Sequence, residues 1–232
     1  MKHTGSGCVL QILFREVARV FRVLNSFEPY AYLLALFNPE YAFAMNFCSS
    51  CGQPVQVRIP PDDNRERHVC THCGTVHYQN PKMVVGSIPL WDEEAAGKVL
   101  LCRRAIEPRH GYWTLPAGFM ENNETTAEAA ERETLEEAGA RIEVQELYSM
   151  MNVPHVHQVH MFYRARLLDL DFLAGTESLE VKLFSETEVP WDEIAFPTVS
   201  HTLRFFFDDL AAHRKGQSVG LRSMDIRRKM QD

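Results

Sequence analysis

Two pairs of cysteines constrain this chain more tightly than any other feature. Cys48 and Cys51, then Cys70 and Cys73, are Cys-x2-Cys pairs with 18 residues between them, inside the window of about 15 to 20 residues typical of four-cysteine zinc sites. Two tight knuckles can present four thiolates in a tetrahedron without a large core around them. Gly52 and Gly74 directly follow the second cysteine of each pair, where the backbone must curl back to aim amides at sulfur. Two disulfides would use the same residues, but they require an oxidising compartment, and no apolar stretch here ends in a small-residue cleavage site. The expectation is a structural Zn2+ ligated by Cys48, Cys51, Cys70 and Cys73, in a cytoplasmic protein. Cys8 and Cys102 are left over; Cys102 ends the apolar run Val99-Leu100-Leu101-Cys102 and reads as a small buried thiol.

The first 44 residues carry apolar side chains at helical spacing, interrupted by Arg15, Arg19 and Arg22, and then an aromatic stretch from Tyr30 to Phe43. No charge-free run approaches the roughly 18 residues of a membrane helix, and Glu16, Glu28 and Glu40 count against a transit peptide. Residues 1–44 are taken as an extension of unknown status, with Met45 as an alternative start three residues ahead of Cys48. The expected divisions are 45–82 for a zinc ribbon, 83–213 for a larger α/β domain and 214–232 for a basic tail.

Within the larger domain, Met83–Trp91 and Lys98–Arg104 are β-rich runs joined by a polar turn, which predicts a hairpin. Tyr112–Phe119 reads as a short strand broken by Pro116 and Gly118. Residues 126–138 predict a helix, with Thr125 and Glu128 spaced as a capping box and Gly139 as its stop. Arg141–Met150, His157–Leu168 and Leu179–Phe184 are further strand candidates, and an amphipathic helix is expected over Pro197–His213.

Charge is distributed unevenly over these elements. The chain has a net charge of −7, but residues 117–196 hold 17 acids and 5 bases, a net of −12, while residues 214–232 hold 2 acids and 6 bases, a net of +4. The balance argues against broad attraction to nucleic acid or anionic membrane. At 100° per residue, Ala127, Ala130, Thr134, Leu135 and Ala138 share one face of the 126–138 helix that can pack on a sheet. Glu133, Glu136 and Glu137 lie together on another, beside Ala129, with Arg132 as the one compensating charge. Like charges at this spacing repel by a few tenths of a kcal/mol per pair, and three such carboxylates suit a hard divalent cation such as Mg2+.

Gly118, five residues, Glu124, seven residues, and then Arg132-Glu133-Thr134-Leu135-Glu136-Glu137-Ala138-Gly139-Ala140 resembles the signature of the Nudix hydrolases. Every fixed position is filled. Thr134 and Ala140 stand where bulky aliphatics are usual, and Asn123 where glycine is frequent; asparagine tolerates positive φ. The cysteine module in front resembles the zinc-ribbon subset of that family, so the likeness covers everything after Met45. It implies an α/β/α sandwich with a mixed sheet, preceded by a small zinc ribbon. Glu133, Glu136 and Glu137 would bind Mg2+ or Mn2+, with a further oxygen from the backbone around Ala117 and Gly118. Glu124 and Arg132 would form a structural ion pair. The implied reaction is metal-assisted hydrolysis of a nucleoside diphosphate linked to another moiety. A carboxylate base can come from the box or from a later loop, and Glu180, in Glu177-Ser178-Leu179-Glu180, is the selected later-loop residue.

Substrate identity is less constrained. Zinc-ribbon relatives of this type cleave NADH, FAD or ADP-ribose, but the stretch Tyr148-Ser149-Met150-Met151-Asn152-Val153-Pro154 lacks the motif expected of NADH pyrophosphatases. ADP-ribose, FAD or a similar dinucleotide is the favoured small-molecule partner. Arg103, Trp113 and Phe119 are the candidate substrate contacts, with Tyr112 and Phe162 as further rings that could stack on a base. Arg104 is a second arginine within reach of phosphate. His155, His157 and His160 show no metal spacing, and alternation along a strand would place the first two on one face. Hydrolysis of an RNA end or NAD cap, held by Arg222–Lys229, and a non-catalytic ligand-binding regulator are the alternatives; a homodimer is left open.

Overall fold

The computed structural model describes residues 45–91, 97–213, 215 and 220–227. The N-terminal extension, with Cys8, lies outside the described residues, as do most of the polar turn at 92–96 and the last five residues of the tail. The chain divides after Gln79 into two compact units. Lys82, placed in the ribbon from sequence, is already the first residue of a strand in the second unit.

The first unit is a three-stranded antiparallel sheet of β1 (Val55–Arg58), β2 (Arg67–Cys70) and β3 (Val76–His77). Its described residues make almost no apolar core. Those that are buried are Cys48, Pro60, Val69, Cys70 and His77, so two of the five are members of the cysteine quartet.

The second unit is built on a mixed eight-stranded sheet. Its strands are β4 (Lys82–Trp91), β5 (Lys98–Arg104), β6 (Trp113–Thr114), β7 (Ala117–Phe119), β8 (Ile142–Val153), β9 (Gln158–Leu167), β10 (Ser178–Phe184) and β11 (Arg222–Asp225). The main path runs β10-β5-β4-β9-β8-β11, with β6 paired to β5 and β7 to β4. The expected hairpin forms, pairing Leu90 with Val99 and Trp91 with Lys98. β4 and β9 run parallel from Lys82↔Gln158 to Leu90↔Arg166, a pairing that the long helix-containing connection between them makes possible.

Two helices cover the sheet. Helix α1 (Thr126–Ala138) has the predicted ends: Thr125 accepts from the Glu128 amide, Glu128 returns the bond to the Thr125 amide, and Gly139 closes the helix at φ 60°. Helix α2 (Pro197–His213) packs Leu203, Phe206 and Phe207 against Ile88, Leu90, Val99 and Leu101. The opposite face, with Leu100 and Cys102, meets Ala138 of α1, and Val85 meets Ala129 and Ala130. Alternation along β5 therefore feeds two cores, giving an α/β/α sandwich. Cys102 is buried, as expected. Among the described residues no helix is long and apolar enough to cross a membrane.

Three local expectations differ. Gly118 does not break the strand at Tyr112–Phe119; it pairs with Val85 inside β7, and the interruption falls at Leu115-Pro116. His155 sits in a 3-10 turn (Pro154–Val156) and His157 follows it at φ 53°, because Pro154 cannot donate to a ladder. The two histidines are thus not strand neighbours. The tail is not wholly free either: β11 pairs parallel to β8, and Arg222 holds both oxygens of Asp209 of α2, whose Oδ2 accepts from Arg222 Nε at 2.9 Å and also from the Tyr148 hydroxyl at 2.7 Å.

Candidate functional site

Helix α1 positions the carboxylates, and its buried face overlaps the one periodicity selected at Ala130, Thr134 and Ala138 but turns Glu133 and Glu137 inward and Leu135 outward. Ala129, Ala130, Glu133, Thr134, Glu137 and Ala138 are buried, whereas Leu135 and Glu136 are exposed. Two of the three glutamates thus face inward and one outward. Ala129 is buried in the packed face and does not leave open space. Thr134, where an aliphatic is usual, is satisfied by the Ser87 hydroxyl at 2.6 Å and by donating to the Ala130 carbonyl at 2.7 Å.

Arg132 organises the outer side of the cluster. Its Nε and Nη2 hold the two oxygens of Glu124 at 3.0 and 2.8 Å, a bidentate geometry. Nη1 donates to Glu133 at 2.6 Å and to Glu136 at 3.0 Å, and Nη2 to the Phe119 carbonyl at 3.2 Å. The arginine therefore drives the Glu124 carboxyl down to about 2, with an added bond from the Glu121 amide. Asn123 adopts φ 69° and carries the loop between them.

The inner carboxylates behave oppositely. Burial pushes Glu137 up to about 7, against the pull of a hydrogen bond from the Ala117 amide at 3.1 Å. Burial also raises Glu133, and its pairing with Arg132 does not offset this. Gly118 makes the approach feasible: a Cβ there would lie 2.3–2.4 Å from the Glu133 carboxyl group. Close approach, not positive φ, demands glycine at that position. The cluster is an oxygen-only donor set whose carboxylates outnumber the cations that meet them, Arg132 by direct contact and Arg104 electrostatically, which fits a hard divalent cation.

The segment leading into β10 completes the surroundings. The Leu173 amide bonds the Ala138 carbonyl at 3.0 Å and the Gly175 amide the Glu137 carbonyl at 3.0 Å, while the Glu177 carbonyl accepts from Ala105 at 2.8 Å. This pins Glu177 beside the end of α1, and its charge acts on both Glu133 and Glu137. Glu180, selected from sequence, instead faces Arg103 across the β5–β10 ladder, 3.9 Å from its Nη1 and half-exposed. The register bulge between Ser178 and Glu180 was not legible in the sequence.

Among the other candidates, Trp113 is spent in the core. It is 6% exposed and packs edge-on against Phe184 at 4.9 Å, so no ring face is free for a base. Phe162 is likewise buried. Phe119 remains 49% exposed next to Gly118, with the Lys82 ammonium 5.0 Å from its ring; sequence reasoning missed Lys82 because strand pairing alone brings it there. Arg103 donates its Nε to the Gly111 carbonyl at 2.9 Å. Arg104 draws the Glu137 carboxyl downward electrostatically, and Arg109 lies over the Tyr112 ring at 5.4 Å. His160 accepts or donates at 2.8 Å with Gln158, and burial lowers it to about 4.

The cysteine quartet forms a second centre. All four sulfurs lie within 4.8 Å of one another, with Cys48–Cys73 at 3.7 Å and Cys51–Cys70 at 3.5 Å. Those separations match the edge of a ZnS4 tetrahedron, about 3.8 Å for Zn–S bonds of about 2.3 Å. Gly52 and Gly74 take φ of 71° and 74°, and amides of Ser50, His72 and Cys73 point at Cys48 or Cys70 sulfur at 3.4 Å.

Comparison with known proteins agrees with both centres. A family model for the NUDIX domain matches residues 80–205, and one for the Nudix N-terminal zinc ribbon matches residues 46–79. The solved NUDIX hydrolase from Nitrosomonas europaea is 52% identical, covering 78% of this chain and 100% of that one, with a TM-score of 0.71. The NAD-capped RNA hydrolase NudC of Stutzerimonas stutzeri is 25% identical over 172 residues, 74% of this chain and 58% of the relative. NudC of Salmonella typhi is 30% identical over 104 residues, 44% of this chain and 37% of the relative. The chain thus spans between about a third and three fifths of these curated relatives' length.

Proposed function

The chain belongs to the NUDIX hydrolase family, and on that premise we propose that it hydrolyses a nucleoside diphosphate linked to another moiety, with ADP-ribose, FAD or a similar dinucleotide as substrate. The observation that carries this reading is the buried carboxylate pair Glu133 and Glu137 with Glu136 beside it. These three, with the backbone at Ala117 and Gly118, would hold Mg2+ or Mn2+. When bound, such an ion neutralises diphosphate oxygens and lowers the pKa of water.

The chain's own residues do the positioning. Arg132 and Glu124 fix the loop on the helix so that Gly118 stays against Glu133. Phe119 offers an exposed ring for a base or a nicotinamide-like ring, with Lys82 at its edge to meet phosphate or ribose oxygen. Glu177, whose charge acts on both Glu133 and Glu137, would be the later-loop carboxylate that accepts a proton from attacking water, in place of Glu180.

The test is turnover by purified protein with Mg2+ or Mn2+ against ADP-ribose, FAD, NADH and NAD-capped RNA. Hydrolysis of none of the four would sink the reading. Glu177→Gln is expected to lower kcat by about 10²–10⁴-fold, and Glu180→Gln by no more than a few-fold; the reverse order would return the role to Glu180. The NAD-capped RNA reading is favoured by the relatives that carry that name. Against it, Arg222, the first residue of the Arg222–Lys229 stretch, is taken up by Asp209, and each phosphate contact needs a free cation. Preference for capped RNA over ADP-ribose in the same assay would establish it.

A further inference from the structure

The ribbon contains a buried side chain that neither the cysteine spacing nor the hydrolytic site uses. His77, at the end of β3, is 9% exposed, and its Nε2 lies 3.3 Å from the Cys48 sulfur. We infer that His77 is a positioning residue for the metal centre, donating its Nε2–H to the Cys48 thiolate and so holding that ligand in place.

Four thiolates around one Zn2+ carry a net charge of −2, and N–H groups aimed at sulfur offset it. Most donors here are backbone amides, which the knuckle turns supply automatically: Ser50 to Cys48, and His72 and Cys73 to Cys70. Side chains contribute twice among the described residues. The Thr75 hydroxyl lies 3.1 Å from Cys73, an exposed contact, and His77 reaches Cys48 in the interior. The second contact differs in kind. It joins the first knuckle to the last strand of the sheet, 29 residues apart in sequence.

Geometry supports a specific bond over mere filling. β3 is only two residues long, and its partner across the ladder from His77 is His68. Val76 is half-buried and His77 buried, so the strand turns its imidazole inward, among Cys48, Val69 and Cys70, the most buried residues of the unit. An aliphatic or aromatic residue would fill that space. The imidazole adds one directed N–H, and its ring nitrogen meets the sulfur.

The inference rests on the quartet holding zinc but not on the hydrolytic reading, so its test is independent of turnover. Full-length protein is loaded with zinc, and metal release to a chromophoric chelator is followed for wild type, His77→Phe and His77→Gln. Outer-shell donors are worth about 10–100-fold in metal affinity. His77→Phe is therefore expected to release zinc about 10–100-fold more readily, and His77→Gln, whose amide N–H reaches a similar distance, within a few-fold of wild type. In the Co2+-loaded proteins the sulfur-to-cobalt charge-transfer band should move in His77→Phe and hold in His77→Gln. Equal retention and an unchanged band in His77→Phe would overturn the inference. So would a His77→Gln protein as leaky as the phenylalanine variant, or one too unstable to purify, since either result shows that shape and not the donor matters. A wild-type protein that takes up neither metal overturns it together with the zinc assignment.

Discussion

Glu136→Gln and Glu137→Gln are each expected to lower kcat at least about 10³-fold, some 4 kcal/mol of transition-state stabilisation, with the fold intact. Glutamine preserves the shape of either side chain. At Glu137 it also preserves an oxygen for the Ala117 amide. What it removes is the negative charge that would hold a divalent cation. Circular dichroism and a thermal melt would show the fold, and turnover with saturating Mg2+ the loss. Wild-type turnover in both variants would remove the carboxylates from the site.

The Glu137 variant carries a second, opposite expectation. The folded protein raises this carboxyl from 4.5 to about 7, so between those values it binds more proton than the unfolded chain. Stability of protein without added divalent ion must then fall as pH rises through that window and level off above it. Glutamine cannot ionise and escapes that cost, up to about 3 kcal/mol at pH 8. Glu137→Gln should be more stable than wild type at pH 8 and indistinguishable at pH 4.5 in denaturant titrations. A wild type that gains stability over this window relative to the variant would contradict the burial argument. A site residue that destabilises its own fold is a common cost of function.

The other large effect is expected in the ribbon. Wild-type protein purified without chelator should contain about one zinc per chain, and Cys70→Ser should lose it along with the order of residues 45–79. The reason is the composition of that interior: among the described residues of the unit, Pro60, Val69 and His77 are all that is buried apart from Cys48 and Cys70. A unit this small cannot offset chain entropy with apolar burial. Metal binding in comparable peptides contributes about 10–16 kcal/mol, all of it coupled to folding. Elemental analysis gives the stoichiometry, and limited proteolysis reports the order of 45–79. Less than a tenth of one zinc in folded wild type, or full retention in Cys70→Ser, would refute the assignment.

Legibility tracked the range of the interactions. The ends of α1 were readable because Thr125, Glu128 and Gly139 act within a few residues of the helix they bound. The hairpin of β4 and β5 was readable for the same reason. The inward face of α1 was only partly legible: Ala130, Thr134 and Ala138 are buried as expected, but Leu135 is exposed and Glu133 and Glu137 turn inward, where β7 and the segment 173–177 close over them. Trp113 was one candidate ring for a base, and its edge-on packing against Phe184 removed it. β11 lies in a polar, basic stretch with no apolar alternation, and it joins the sheet through Asn152, which bonds Asp225 at 2.9 Å, and through Asp209, which holds Arg222.

Sequence by itself determined the two constellations. Cysteine spacing defines two knuckles, and carboxylates three and four residues apart on a well-capped helix must lie close together, whatever the rest of the chain does. Only the tertiary structure decided how those carboxylates divide: Glu136 stays exposed beside Arg132, while burial raises Glu133 and Glu137 even though Arg132 also meets Glu133. It also decided that the charge of Glu177 acts on the inner pair while Glu180 faces Arg103, and that His77 meets Cys48. The physical reason is common to all three. Covalent spacing sets which groups can be neighbours along one element, but desolvation and directed contacts depend on what distant segments place against it.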